Sequence, residues 1–411
     1  MRRDFIKQCR YYYETVNKKE DENLSREETK DKGVYTIEMR ILFWLSFFVI
    51  VYTYFGYPLL LKLLAGKRKE QGEEAPGPLF EPNVSLIIPV HNEEKLIAEK
   101  ILNALSLDYP KDKLEILVVS DASTDRTGEI VRKFEKEGVI FYEQSERKGK
   151  AGALNRGLQE AKNEIIVFSD ASIFLEKEAL RSVLRPFSDN WIGCVSGEDY
   201  IPEGGGEGAY GKYELFLRNL ESRTGSIVGA SGCFYAQRRS LCEPFREGMA
   251  PDFFSVLKTV EKGFRAVTEP EATGVMKSVS DPQGEFRRKE RTFLRGMTTL
   301  VHFKHLLNPF RYGIFSLQLI SHKLMRWSTG VFLILLFLSN LFLVGSKFYL
   351  TFLLLQVAFY ALALIGWLGM SKPFIFRVPF FFSMVNLSAL VAWFKYLSGH
   401  RQEIWEPSKR Q

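Results

Sequence analysis

The sequence predicts a doubly wound α/β domain held between membrane-spanning helices, about four in all. Three observations lead there. From residue 84 to about 305, short β-rich runs alternate with amphipathic segments: VSLIIPV, EEKLIAEKILNAL, LEILVVS, TGEIVRKFEKEG. Strand, helix and strand in that order imply parallel pairing. Long uncharged apolar runs flank the region on both sides. Carboxylates stand where predicted strands end, Asp121 in VVSDASTD and Asp170 in IIVFSDAS, and Asp252 follows in MAPDFF. Ligands bind outside the carboxyl ends of the strands in open α/β sheets, so these acids are expected to meet in one crevice.

Residues 1–38 are polar and mixed in charge, which favours a solvated tail over a packed core. Residues 39–65 hold the first span, because the run 41–61 carries no charge and is long enough to cross a bilayer at about 1.5 Å per residue. Its late start argues against a cleavable signal peptide. Residues 66–83, with charge, Gly and Pro, read as a linker. Lys67, Arg68 and Lys69 sit against the membrane end, which by the positive-inside tendency places the following domain in the cytoplasm of an inner or plasma membrane. After the domain at 84–305, residues 306–324 mix aromatics and cations at helical spacing, as an interfacial helix does. Residues 325–397 hold three further apolar runs, 327–346, 348–371 and 378–394, the last near the lower limit for a span. Residues 398–411 form a basic tail. An even number of spans would set both tails on the outer face, which suits that tail poorly, so one run stays open to an interfacial or re-entrant reading.

The composition averages two environments. Aromatics make up 14% of residues, and the 34 Phe concentrate in the apolar runs, where rings suit lipid and its interfaces. A formal charge of +7 from interleaved acids and bases does not demand nucleic acid; anionic headgroups or an anionic donor account for it equally well. Cys9, Cys194, Cys233 and Cys242 show no CxxC pair and no metal-ligand spacing, so they read as free thiols in a reducing compartment. His302 and His305, three apart on a predicted helix, lack an acidic cluster nearby in sequence and read as interfacial rather than metal-binding.

VSLIIPVHNEE, LEILVVSDASTD and KGKAGALNRGL, in that order, resemble the family 2 inverting glycosyltransferases of GT-A fold. The membrane-anchored branch with poly-N-acetylglucosamine, hyaluronan and cellulose synthases is the similar one. A nucleotide-diphosphate sugar presents a base, a ribose diol and a diphosphate, so its site needs carboxylates for N–H and O–H donors and cations or a metal for phosphate. The resemblance implies that Glu93 and Asp121 bind base and ribose, with Pro89, His91, Ser123 and Lys148 beside them and Lys150 near the diphosphate. The competing reading of SDASTD is a helix cap, with Ser123, Thr124 or Asp125 capping TGEIVRKF.

Asp170-Ala171-Ser172 aligns with the DxD motif, which implies a divalent cation, Mg²⁺ or Mn²⁺, held by Asp170 and Ser172, with donor phosphates and water completing an oxygen shell. A structural turn is the alternative. Asp252 aligns with the second acid of the ED or DD pair that supplies the general base; Pro251 replaces its neighbour, and Pro-Asp also marks an ordinary helix start. GASGCFYAQRR, residues 229–239, corresponds to the acceptor region, with Gly229, Ser231 and Gly232 as contacts or, equally, as a tight turn before a buried strand. GEFRRKERTFLRG resembles the QxxRW position: Arg291 keeps the Arg, Arg288 stands for Gln and Thr292 for Trp. Guanidinium forks suit a diphosphate, and the departure puts processivity in doubt more than donor binding.

The expected activity is sugar transfer from a nucleotide-diphosphate donor to a glycan or lipid-linked acceptor in cell-surface or extracellular polysaccharide synthesis. The rival is a catalytically silent nucleotide-sugar-binding or scaffold subunit of a synthase complex, kept open by Pro251, Ser172 and the altered arginine motif.

Overall fold

The computed structural model describes residues 35–66, 80–200, 206–276, 282–369 and 373–401. Most of the tails and the linker, with Cys9, Lys67, Arg68 and Lys69, lie outside them. Eight strands form one sheet: β1 (Val84–Val90), β2 (Leu114–Ser120), β3 (Val139–Glu143), β4 (Ile165–Ser169), β5 (Ile173–Leu175), β6 (Ile192–Tyr200), β7 (Phe234–Arg238) and β8 (Arg265–Met276). Their order is β3-β2-β1-β4-β7-β6-β8-β5.

The first four strands are the predicted parallel array, with Val84 level with both Leu114 and Ile165. Between them run α2 (Ile97–Leu105), α3 (Thr127–Arg132) and α4 (Gly149–Glu160), after the N-terminal α1 (Tyr35–Ala65). All of β1 is buried, as its unbroken apolar run requires of a strand covered on both faces. Alternation divides the side chains: Leu86, Ile88 and Val118 pack with Ile97 and Ile101 of α2, while Ile87, Leu117 and Val119 pack with Ala151 and Leu154 of α4.

The other half adds antiparallel pairing to that array. β7 runs antiparallel to both β4 and β6, and β5 runs antiparallel to β8. Strand direction is set by where a long connection returns the chain, and local periodicity carries no record of that. The connections here are α5 (Ala179–Leu184), the 19-residue α6 (Gly206–Thr224) and α7 (Pro251–Glu261).

Among the described residues, four helices are long and apolar enough to cross a membrane: α1 before the sheet and, after α8 (Pro282–His302), α9 (Ile314–Leu341), α10 (Lys347–Trp367) and α11 (Phe374–Leu397). Phe55, Leu63, Leu354, Leu355 and Leu364 point outward from them, as lipid-facing positions do. Two differences from the sequence reading concern these helices. Residues 314–341 form one continuous helix, with π-helical turns at Ile320–Met325, so no break separates an interfacial helix from the next span. The last run is 24 residues long and continues through Pro379.

Sheet and spans share one core. The cluster under Ile87 and Leu117 runs through Phe253 and Val256 of α7 and Leu294 and Met297 of α8 to Trp327 of α9 and Met384 of α11. Small residues allow the close crossings: a Cβ on Gly296 would stand 2.9 Å from the Trp327 ring, and one on Gly330 would stand 2.5 Å from Leu390 Cγ. Gly inside a helix costs roughly 1 kcal/mol against Ala, so close packing is the reason to keep it there.

Candidate active site

The loops leaving β1 and β2 are stitched together. Asn92 and Ala122 adopt positive φ, 53° and 52°, which bends each chain sharply. Asn92 Oδ1 accepts from Thr124 N (2.8 Å), and Ser123 Oγ accepts from Asn92 N (3.1 Å). His91 Nδ1 lies 2.7 Å from the Asp121 carbonyl oxygen; a carbonyl only accepts, so that nitrogen carries the proton. Asp125 caps α3: its Oδ1 accepts from Thr127 N (3.0 Å) and Thr127 Oγ1 (2.5 Å), and its Oδ2 from Glu94 N (3.1 Å). The capping reading therefore holds for Asp125, while Ser123 spans the two loops.

Asp121 is buried at the end of β2. Its Oδ1 accepts from Lys148 N (2.7 Å), while Oδ2 is buried with no hydrogen-bond partner. Lys148 thus meets Asp121 through its backbone at the start of α4.

The β4–β5 turn carries Asp170, Ala171 and Ser172. It is gripped from beneath by one face of α2. Lys100, fully buried, donates from Nζ to Ser169 Oγ (2.7 Å) and to the Ile173 carbonyl (2.6 Å), the two residues bracketing the turn. One helical turn on, Asn103 pairs with both backbone groups of Leu175, at 2.8 and 2.9 Å. Burial pulls the Lys100 ammonium down to about 7, against the opposing pull of Asp170. From above, Lys150 Nζ lies 2.5 Å from Asp170 Oδ1 and donates to the Gly232 carbonyl (3.0 Å).

These groups border a cavity of about 410 Å³ between the sheet and the spans. Pro89, Glu93, Lys150, Asp170, Ser172, Ser231, Gly232, Asp252, Arg288 and Arg291 all line it. A narrower recess is shared by Lys150, Asp170, Gly232 and Asp252. The structure thus brings Asp170 and Asp252 together, whereas Asp121, His91, Ser123, Lys148 and Gly229 do not line this cavity.

Asp252 opens the 11-residue α7 directly after Pro251 at the first helical position. Burial pushes its carboxyl above the ordinary range, and Lys150, then Lys323 and Arg295, pull it back in part. Burial also lifts Glu93 to about 7, with Asp170 and Asp125 adding to the rise. A Cβ on Gly232 would stand 3.9 Å from Asp252 Cγ, an ordinary van der Waals contact, so this turn lies beside the carboxylate. The Ser231 hydroxyl is turned inward, accepting from Cys233 N and Phe234 N (3.2 Å each); here the turn-before-a-strand reading describes the side chain. Gly229 lies against Lys323, whose Nζ would be 3.3 Å from a Cβ placed there.

On α8, Arg288 forms a fork with Glu285 (2.7 and 2.8 Å). His302 and His305 do not share a ligand site: His305 Nε2 is 2.8 Å from Glu261 Oε1, while His302 stacks on Phe254. Among the described residues, Cys194, Cys233 and Cys242 form no disulfide.

Sequence reading missed the membrane-side wall. Arg295, Lys323 and Arg326 line the cavity with Glu214 of α6 and His322. Glu214 lies 2.6 Å from Arg326 Nη2 and 3.0 Å from His322 Nε2, and His322 Nδ1 is 2.6 Å from Glu221. Burial opposes ionisation of Glu214, but Arg326 and His322 together hold its carboxyl well below the usual range. The available signal was spacing: Arg288, Arg291 and Arg295 recur on one helical face.

Residues 85–245 match the family described as Glycosyl transferase family 2. The chain carries a family 2 glycosyltransferase domain. It is 42% identical over 123 residues to a protein of Bacillus subtilis (strain 168) named "Probable glycosyltransferase", across 28% of this chain and 29% of that one. It is 32% identical over 165 residues to a beta-monoglucosyldiacylglycerol synthase of Nostoc sp. (strain PCC 7120), across 39% of this chain and 35% of the relative. The alignments therefore span about a third of these relatives' length. A mannosyltransferase from Pyrobaculum calidifontis, solved with GDP-Man and Mn²⁺, superposes with a TM-score of 0.67 at 25% identity, covering 88% of this chain and all of that one. The similarity extends past the family 2 segment into the helices, and the sheet has the GT-A fold.

Proposed function

We propose that the chain is a membrane-integrated inverting glycosyltransferase that uses a nucleotide-diphosphate sugar and a glycan or lipid-linked acceptor. The observation that carries this reading is the shared recess of Asp170, Lys150 and Asp252, three residues distant in sequence that meet on the sheet's ligand-binding edge. The acceptor hydroxyl oxygen attacks the anomeric carbon and Asp252 takes its proton. The carbon–oxygen bond to the diphosphate breaks, and the nucleoside diphosphate departs with the bonding electrons. Attack opposite the leaving group inverts the configuration.

Asp252 suits a base that must hold a proton briefly, because burial raises its proton affinity while Lys150, Lys323 and Arg295 limit the rise. Among the described residues no group of three or more His, Cys, Asp or Glu is placed to hold a metal unaided. Asp170 nonetheless already accepts a cation at 2.5 Å, that of Lys150. With Ser172 and two donor phosphate oxygens it offers the all-oxygen set that Mg²⁺ or Mn²⁺ takes. A bound divalent ion would neutralise charge on the departing diphosphate. Lys150, Arg288 and Arg291 hold that charge from the protein side. Asp121 Oδ2 and Glu93 supply acceptors for the base and ribose. The orientation with the domain in the cytoplasm rests on the basic cluster Lys67, Arg68 and Lys69.

The test is a screen of the purified full-length protein against nucleotide-sugar donors, with Mn²⁺, Mg²⁺ or chelator, reading released nucleoside diphosphate and the anomeric configuration of the product. Asp252→Asn is expected to lower turnover about 10²–10⁴-fold with nucleotide binding retained. Parent-like turnover in that variant removes Asp252 from the chemistry, and retention of configuration overturns the single displacement.

A further inference from the structure

Arg295 and Lys323 stand apart from the other cations of the cavity. Neither side chain makes a hydrogen bond or an ion pair among the described residues, and Arg295 Nε is buried without a partner. Lys323 Nζ is held only by ring faces, 5.6 Å from the centroid of Phe253 and 6.0 Å from that of Trp327. Both line the cavity that Asp252 also lines, so an anion seated between them shares that cavity with the reacting centre. A buried cation whose donors meet no acceptor is costly, and a ligand that brings those acceptors relieves that cost.

The charge balance makes the donor a poor candidate for that ligand. Eight lysines and arginines line the cavity against five carboxylates, and Glu285, outside the lining, pairs with Arg288 and Lys289, which leaves two cations in excess. A nucleotide-diphosphate sugar carries about two negative charges and a divalent cation cancels both, so donor and metal together leave the surplus uncompensated. Trp327, against Lys323, and Val385 and Ala389, with Asn386 between them, make a mainly apolar part of the lining; they belong to α9 and α11, two of the helices able to cross a membrane. Unpaired cations beside an apolar wall continuous with the spans describe a receptor for an anionic amphiphile.

We propose that Arg295 and Lys323 form an acceptor subsite for a phosphate ester on a lipid-anchored acceptor. The phosphate sits between the two cations, and the hydrocarbon lies along Trp327, Val385 and Ala389. This rests on the glycosyltransferase reading above and specifies its acceptor. Membrane phospholipid offers the same phosphate chemistry, so the test separates the two sources.

The probes are farnesyl phosphate, farnesol, inorganic phosphate and vesicles of anionic or neutral phospholipid, each titrated into the detergent-solubilised full-length chain. Farnesyl phosphate is expected to bind at least about tenfold tighter than farnesol or inorganic phosphate, the worth of one charge-assisted contact. Anionic vesicles should not compete it away. Arg295→Met and Lys323→Met should each shrink that preference to about threefold or less, while nucleoside diphosphate affinity changes by no more than about twofold.

Equal binding of farnesyl phosphate and farnesol overturns the subsite, and that comparison needs no variant. Full competition by anionic vesicles reassigns it to bulk lipid, and saturation by inorganic phosphate alone removes the amphiphile. Loss of nucleotide affinity in the variants assigns the cations to the donor. Release of nucleoside diphosphate from donor in water tests the underlying reading separately: release without phosphate preference sinks this inference alone, and no release from any donor sinks the reading beneath it.

Discussion

The sheet side of the site and the membrane-side wall of the cavity are left with opposite kinds of unfinished business. On the sheet side the unsatisfied atoms are acceptors: Asp121 Oδ2 is buried with no donor, and Glu93 is crowded by Asp170 and Asp125. On the membrane side they are donors, Arg295 Nε and the ammonium of Lys323. A base and a ribose bring N–H and O–H groups, whereas a phosphate brings only acceptors. The contrast therefore tells the two ligands apart by polarity, and Asp252 lies where the two sets of charges overlap.

The largest expected effect short of removing Asp252 comes from neutralising the sheet-side acceptor. Asp121→Ala takes away a charge-assisted contact worth about 1.5–3 kcal/mol, so nucleotide affinity should fall roughly 10- to 100-fold. The farnesyl phosphate titration should be unmoved. If both ligands weaken together, the walls are not independent and the comparison breaks.

Lys100→Met probes how the sheet side is prearranged. The substitution leaves Ser169 Oγ and the Ile173 carbonyl without their buried donor, at a cost of about 1–3 kcal/mol. Because those atoms bracket Asp170, the Mn²⁺ concentration for half-maximal donor turnover should rise by about tenfold, the equivalent of ~1.4 kcal/mol. A lowered melting temperature with unchanged metal dependence would make Lys100 a packing residue only.

The same contrast explains what was legible in advance. VSLIIPV, LEILVVS and EIIVFS announce buried parallel strands through composition, and their last residues fall on the binding edge by a general rule of such sheets. That rule places Asp170 on the edge, whereas Asp252, which opens α7, was singled out only by its likeness to the ED or DD pair. Asp121 was also identified, but not its separation from the main cavity, because that depends on Lys148 folding back to donate to it. Arg295 and Lys323 were hidden for another reason. Arg295 lies on α8 beside the spans and Lys323 in the first turns of α9, where cations are ordinarily headgroup contacts, and only the packing of α8 against α9 and α11 turns them inward. The antiparallel strands escaped notice because the long α6 connection, not any local pattern, sets their direction.

Glu93 offers the gentlest probe, and its sign follows from linkage. Its carboxyl rises from 4.5 to about 7, chiefly through burial, with Asp170 and Asp125 contributing. Between those values the native protein keeps a proton that the unfolded chain has released, so stability of the ligand-free protein should fall as pH rises through that window. Glu93→Gln has no proton to lose and should flatten that part of the melting-temperature profile. Nucleotide affinity in the parent should move the opposite way, strengthening as pH passes about 7, because the ionised carboxylate is the better acceptor for a base N–H. A divalent cation at Asp170 should shift that rise toward lower pH by cancelling the nearest negative charge. Identical pH profiles with and without Mn²⁺ would place the metal away from Asp170.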